Sequence, residues 1–551
     1  MAKRILIVGG VAGGASCAAR LRRLDEDAEI VLFERGEYIS FANCGLPYYV
    51  GGVIPKREAL LVQDPKTMKA WFNIDIYVQT EVTAIQPEQK TVTVLNCATG
   101  EVRSERYDAL VLSPGAEPVV PEVPGVDEAR ERLFTIRNVH DVDRLKAYMD
   151  NENPKRAVVI GGGYIGLEMA ENLVQKGLDV SIVQRRNQVL APLDVEMAAL
   201  VHAELRKKGV HLYLEQPLAG FEDAGRVVRL STGTTLEADL VVLAVGVRPE
   251  SKLISDIGLA TNKRGAIITD DQFHVAGAPD VYAIGDAVEV KDFVTGEDVM
   301  IPLAGPANRM GRMCADIICG QDKHYKGTLG SSVVRVFDVS CANTGKNERQ
   351  LKNSGIPYQS IHLYPANHAT YYPGASQLCL KVIYAPEDGR LLGAQCVGKA
   401  GVDKVIDVVA TAIYAKMSVY DLQDLELCYA PPFGTAKSPL NFAGYIAENI
   451  LRGEKYLDDA ASIDTLLEQG AFVLDVRGKK ETEKVPLPAS LNIPLPTLRA
   501  NMNKLPKDEV IYVTCMVGIR GHIASRMLQA NGFDVVNVGG GAKLYNQHKL
   551  V

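Results

Sequence analysis

The chain has 551 residues, which domain-size statistics convert to roughly three or four domains. An apolar fraction of 47% and a charged fraction of 23% are those of globular domains that bury their own cores, and the formal charge of −7 speaks against a general nucleic-acid binder. The ten cysteines are scattered without a Cys-x-x-Cys pair, so neither a metal site nor a disulfide framework is expected, and a reducing cytoplasm fits. No apolar run reaches the length of a membrane span, and the N-terminus enters Ile5-Leu6-Ile7-Val8 without a signal-peptide core.

Residues 1–35 read strand, glycine turn, helix, strand. The turn is Gly9-Gly10-Val11-Ala12-Gly13-Gly14, and the second strand, Ile30 to Phe33, ends at Glu34 with Arg35 behind it. Backbone N–H groups and the positive end of a helix dipole at such a turn accept a pyrophosphate, and the strand-end acid accepts ribose hydroxyls. The middle glycine of G-x-G-x-x-G is Val11, so Gly10 is expected to provide the close approach to phosphate. Arg20, Arg22 and Arg23 follow on the helix, either as a solvated face or as a patch for a phosphorylated substrate.

Next comes Ser40-Phe41-Ala42-Asn43-Cys44-Gly45-Leu46-Pro47-Tyr48, which places one cysteine just after a dinucleotide unit. We read Cys44 as a redox thiol beside a flavin, with a lowered pKa if the flavin and a helix N-terminus stabilise its anion. Residues 76–96 read as strands with a turn, Tyr107 to Leu112 as an apolar strand, and the prolines at 118, 121 and 124 as a domain crossing.

A second unit begins at Ala157 to Ile160 and carries an intact motif, Gly161-Gly162-Gly163-Tyr164-Ile165-Gly166. Its next strand ends in Gln184-Arg185-Arg186, without the acid that favours NAD. The two arginines are either a loop charge cluster or partners for the 2′-phosphate of NADPH. A strand at Asp280 to Ile284 delivers Gly285-Asp286, a plain strand-end turn or a polar contact for a cofactor polyol, and its position implies a first domain interrupted by a second.

Residues 330–450 change to an α+β pattern typical of an interface domain. Tyr371 and Tyr429 lie there, and by composition alone packing is the better reading of both. The last ninety or so residues form an α/β unit in which a strand delivers Cys515-Met516-Val517-Gly518-Ile519-Arg520-Gly521 to a helix. Cys515 is either a buried structural thiol or a sulfur carrier, with a cradle of N–H groups and Arg520 to lower its pKa and hold a persulfide.

Together these features resemble the two-dinucleotide-binding flavoprotein disulfide reductases. The Cys44 stretch is similar to that of coenzyme A-disulfide reductases, and residues 460–551 resemble a rhodanese domain. The whole chain is similar to the fusions of the two, some described as NAD(P)H-dependent persulfide reductases. That resemblance implies two Rossmann-like domains, an α+β dimerisation domain and a rhodanese domain. The expected divisions are 1–112 and 246–328 for FAD, 113–245 for NAD(P)H, 329–451 for dimerisation, 452–459 as linker and 460–551 for rhodanese.

The resemblance also implies roles. Gly9, Gly10, Gly14, Glu34, Arg35 and Asp286 fall to FAD, and Gly161, Gly163, Tyr164, Gly166, Arg185 and Arg186 to NADPH or NADH. Cys44 matches the single redox cysteine, and Tyr371 and Tyr429 match a pair reaching the partner subunit's site in a homodimer, which reverses the packing reading. Arg20, Arg23, Ser40 and Asn43 fall where coenzyme A is held. Three departures stand out: Tyr49 replaces a second cysteine, the Gly-His before Ile493-Pro494 is missing, and Gly521 stands where serine is common. The first forces a mixed disulfide, persulfide or sulfenate on Cys44, and the others put thiosulfate turnover in question. The competing readings are a flavin peroxidase or oxidase and a non-enzymatic sulfur-relay or redox-sensing protein.

Overall fold

The computed structural model describes residues 2–550. The chain forms two compact units, one running to Arg185 and resuming over Gln216–Gly330, the other made of Arg186–Glu215 and the chain from Ser331 onward.

The first unit holds two largely parallel sheets beside smaller antiparallel ones. In the first, Arg4–Val8 lies between Glu29–Phe33 and Ala109–Leu112, with Ile5 opposite Ile30 on one side and Ala109 on the other. The late strand Ala278–Ala283 returns beside Ala109–Leu112, so the first sheet is completed by chain that follows the second. These strands are apolar runs buried on both faces, the signature of a parallel sheet covered by helices. In the second sheet Arg156–Ile160 lies between Asp179–Gln184 and Leu240–Leu243. The carboxyl ends of both central strands open into glycine turns and helices, Ala12–Leu24 and Tyr164–Gln175, which is where ligands bind such sheets.

A short helix, Pro65–Phe72, is delimited by local chemistry. Asp64 accepts from the N–H groups of Lys66 and Thr67 at 2.8 and 3.0 Å, Pro65 opens the first turn, and Asn73 ends it in the left-handed region at φ +46°. Such a cap contributes about 1 kcal/mol, and Asp64→Ala would remove it.

The second unit contains a five-stranded antiparallel sheet, with Leu391–Gly398 at its centre and the helix Val402–Tyr414 against it. Its second sheet is parallel, in the order Tyr456–Leu457, Val535–Val538, Ile511–Thr514, Phe472–Asp475, Leu491–Asn492. Two expectations change here. The segment 452–459 is not a plain linker, because Tyr456–Leu457 pairs with Asn537–Val538 as an edge strand. Residues 186–215, expected within the nucleotide domain, belong to this unit: Lys381, buried in the antiparallel sheet, bonds Asp194 at 2.9 Å and Glu196 at 2.6 Å.

Candidate active site

The first turn is closed by contacts that admit only glycine. A Cβ at Gly9 (φ +93°) would lie 2.1 Å from the Ser113 carbonyl oxygen, and one at Gly14 would lie 1.9 Å from that of Gly9. Gly10 is required by packing, since its Cβ would meet Ile39 at 2.7 Å and Leu32 at 3.0 Å. Glu34 braces the turn: one carboxylate oxygen accepts from Gly10 N–H at 2.8 Å and the other from Gly36 N–H at 2.7 Å. Arg35 pairs with Glu250 at 2.8 Å, and Arg137 shares that partner at 2.9 Å.

At the end of the returning strand, Asp286 has a buried Oδ1 with no hydrogen-bond partner. Burial alone raises its carboxyl to about 6. A buried acceptor left open beside a dinucleotide turn is what a cofactor hydroxyl would satisfy, so these residues fit FAD.

Cys44 lies in the tight turn Asn43–Gly45 and is exposed, directly before the helix Leu46–Gly51. The protein groups around it act in the upward direction. The protein packed around it and the charges of Glu168 and Asp286 push the thiol up, opposed by its own backbone N–H. Glu168 comes from the second nucleotide helix and accepts a hydrogen bond from the Tyr48 hydroxyl at 3.1 Å.

A cavity of about 340 Å³ opens nearby, lined by Ser16, Arg23, Ser40, Phe72, Asn308 and Arg312 among others. Ser40 reaches it in the left-handed region (φ +45°), and the Arg23 guanidinium stands 5.8 Å from the centre of the Phe72 ring. Of the four residues expected to hold coenzyme A, Arg23 and Ser40 line this cavity. Arg20 is bound to Asp316 at 2.7 Å, and Asn43 directs its amide to the Arg137 carbonyl at 3.5 Å. Arg22 is no part of a phosphate patch: it is buried and donates to the carbonyls of Phe72, Asp25, Glu26, Ala28 and Asn73.

The second turn repeats the logic of the first. Cβ atoms at Gly161 and Gly166 would strike the carbonyl oxygens of Ala244 and Gly161 at 2.2 and 2.0 Å. Gly163 faces open space with nothing within 4 Å, a cradle that any side chain would fill. Tyr164 opens the helix and is half-buried. Arg185 and Arg186 are exposed.

In the second unit the Tyr371 and Tyr429 hydroxyls meet at 3.0 Å with both residues exposed, so neither packs into a core. Their hydrogen bond raises the Tyr371 pKa. Cys515 is buried at the head of its loop and accepts from the Gly518 N–H at 3.1 Å. Both ends of the Arg520 fork are held by Glu481 at 2.6 and 2.7 Å, while its charge still interacts with Cys515. Gly521 has a local reason: a Cβ there would meet Asn537 Oδ1 at 2.7 Å.

Sequence reading missed Glu168, Arg312 and Glu481. Glu168 lies four residues after Tyr164, on the same helix face, a spacing that could have flagged it. Nothing local marks Arg312, whose helix Ala304–Ile318 reads as an ordinary amphipathic one.

Comparison with known proteins agrees with this layout. Residues 3–311 match the pyridine nucleotide-disulphide oxidoreductase family, 331–438 its dimerisation domain, and 459–548 a rhodanese-like domain. A coenzyme A disulfide reductase of Staphylococcus haemolyticus is 35% identical over 449 residues, covering 81% of this chain and 100% of that protein. The crystal structure of reduced Bacillus anthracis CoADR-RHD is 51% identical with a TM-score of 0.98, covering 99% of this chain and 98% of that one. The NAD-dependent persulfide reductase from A. fulgidus is 34% identical with a TM-score of 0.90, covering 98% and 100%. Two glycine turns at the ends of parallel strands, an exposed cysteine before a short helix and these matches lead to one conclusion: the chain belongs to the pyridine nucleotide-disulphide oxidoreductases, as a flavoprotein enzyme with a dimerisation domain and a C-terminal rhodanese domain.

Proposed function

We propose that this protein reduces coenzyme A disulfide or coenzyme A persulfide with NAD(P)H, as a cytoplasmic homodimer, and that its rhodanese domain delivers sulfane sulfur. The observation that carries this reading is the exposed thiol of Cys44, with no second cysteine in its segment, four residues after Ser40, which lines a cavity together with Arg23 and Arg312. Two guanidinium groups suit the phosphates of a nucleotide-bearing thiol. The ten cysteines are all free, which suits a reducing compartment.

Residues 1–112 and 246–328 are assigned to FAD, 113–245 apart from 186–215 to NAD(P)H, 329–451 to the dimer and 460–551 to rhodanese. Gly9, Gly10 and Gly14 shape the FAD turn, and Glu34 and Asp286 accept its hydroxyls. Bound there, FAD supplies a two-electron relay between the nicotinamide and a sulfur. Gly161, Gly163 and Gly166 seat the nicotinamide nucleotide, with Tyr164 at the helix entrance and Arg185 and Arg186 able to pair a 2′-phosphate. The Cys44 thiolate attacks a sulfur of the substrate, forms a mixed disulfide or persulfide and releases one thiolate. Two electrons from NAD(P)H then split the new bond, restoring Cys44 and releasing the second thiolate or hydrosulfide. Tyr371 or Tyr429, acting on the partner subunit's Cys44, donates the proton to the leaving thiolate or hydrosulfide. Cys515 carries sulfane sulfur in its N–H cradle, with Arg520 anchored by Glu481.

The test is anaerobic NADPH and NADH oxidation with coenzyme A disulfide, coenzyme A persulfide or peroxide as acceptor, following sulfide release. Turnover with either coenzyme A derivative supports the proposal, and stoichiometric sulfide from the persulfide assigns the rhodanese its role. Turnover with peroxide alone overturns it in favour of a peroxidase.

A further inference from the structure

The helix that carries the nicotinamide turn and the segment that carries the redox cysteine are locked together. Leu46–Gly51 packs on Tyr164–Gln175 so closely that a Cβ on Gly51 would lie 1.8 Å from Asn172 Oδ1. The same Asn172 donates its amide to the backbone oxygen of Glu168 at 2.8 Å. One turn earlier on the cysteine side, Tyr48 donates its hydroxyl to Glu168 Oε1 at 3.1 Å. Asn172 thus holds the Glu168 backbone and Tyr48 its carboxylate, four residues beyond Tyr164 and on the face turned to the Cys44 segment.

We propose that Glu168 is a positioning residue for Cys44: its charge, aimed by Tyr48, sets the pH at which the sulfur becomes a thiolate. The groups acting on this pair are few. Cys44 is faced by Glu168 from the nucleotide helix and by Asp286 from the end of the returning strand. Glu168 is faced by Tyr48, which favours its anion, and by Glu171 one turn on, which opposes it. Burial raises the Glu168 carboxyl, so it changes charge nearer neutrality than a surface glutamate. An ionised Glu168 disfavours a second anion at Cys44, and a protonated one permits it. The NAD(P)H helix therefore has an electrostatic hand on the thiol that NAD(P)H serves, through a hydrogen bond rather than a moving part.

This rests on reading Cys44 as a reactive thiol, and its test needs no acceptor substrate, so it stands or falls apart from the choice of coenzyme A derivative. The reduced flavin-loaded protein is alkylated with iodoacetamide across pH, and modification of Cys44 is read by mass spectrometry of its peptide. Glu168→Gln is expected to move the profile to lower pH and alkylate roughly three- to ten-fold faster below the wild-type midpoint. Glu168→Asp, which keeps the charge, should return most of the way. Coincident profiles for E168Q and wild type, or an equal shift in E168D, overturn the proposal. If E168Q does not hold flavin, Tyr48→Phe decides. It leaves the nucleotide helix intact, and the inflection marking Glu168 ionisation should move to higher pH; an unmoved inflection overturns the assignment.

Discussion

His362 lies 2.9 Å from Asp458 through Nδ1 and 3.2 Å from Glu196 through Nε2, buried between two carboxylates. Asp458 sits at the entry to the last domain, and Glu196 on the helix Val195–Lys207. Burial alone would lower the imidazolium, but Asp458 and Glu196 prevail and raise it to about 9. The neighbouring Lys381 completes the cluster through Asp194, Glu196 and Glu348.

This pair predicts a pH dependence with a definite sign. A histidine raised to about 9 on folding contributes stability that is complete below its unfolded value near 6.5 and lost as pH climbs through about 9. Thermal unfolding of the unit should thus fall in midpoint between pH 7 and about 9.5. Asp458→Asn should flatten that dependence and cost about 3–5 kcal/mol at neutral pH, as for breaking any buried pair on one side. Calorimetry across pH checks both, and a wild-type midpoint insensitive to pH would contradict the assignment.

Asp286 is expected to trade stability for cofactor. Its carboxyl, raised to about 6 by burial, favours folding below the unfolded value near 3.8 and loses that contribution as pH rises through 6. Flavin-free protein should therefore be more stable at pH 5 than at pH 7.5 on this group's account. Asp286→Asn should remove the difference while weakening FAD retention about ten- to a hundred-fold, measured by flavin release and by unfolding of the apoprotein.

The two reactive thiols should separate by substrate. Cys44→Ser is expected to abolish reduction of every coenzyme A acceptor. Cys515→Ser should leave coenzyme A disulfide reduction intact and lower only sulfide release fed by a sulfane-sulfur donor. Equal loss of coenzyme A disulfide reduction in both variants would refute this division.

Arg312 should matter in proportion to the charge of the substrate. Arg312→Ala is expected to raise KM for coenzyme A disulfide about ten-fold or more and to leave a phosphate-free pantethine disulfide nearly unaffected. Increasing salt should shrink the wild-type preference towards that of the variant. Parallel steady-state kinetics on the two substrates decide it.

Much of this was legible in the sequence because the signals are local. A glycine turn needs only the strand before it and the helix after it, so Gly9 to Gly14 and Gly161 to Gly166 announce two nucleotide sites within six residues each. The cysteine loop before the helix Ile519–Gln529 and the alternation to an α+β interface domain are likewise short-range patterns. Tertiary structure decided what surrounds those signals. Glu168 reaches the Cys44 segment across 120 positions of sequence, through the hydroxyl of Tyr48, and adds its negative charge to burial in holding the thiol up. Arg312 joins Arg23 at one cavity, Glu481 anchors the Arg520 guanidinium beside Cys515, and Asp458 makes part of a linker into an anchor. Backbone motifs are written by neighbours along the chain; Coulomb and desolvation energies depend on distance in space, which only the sheet order and helix packing set.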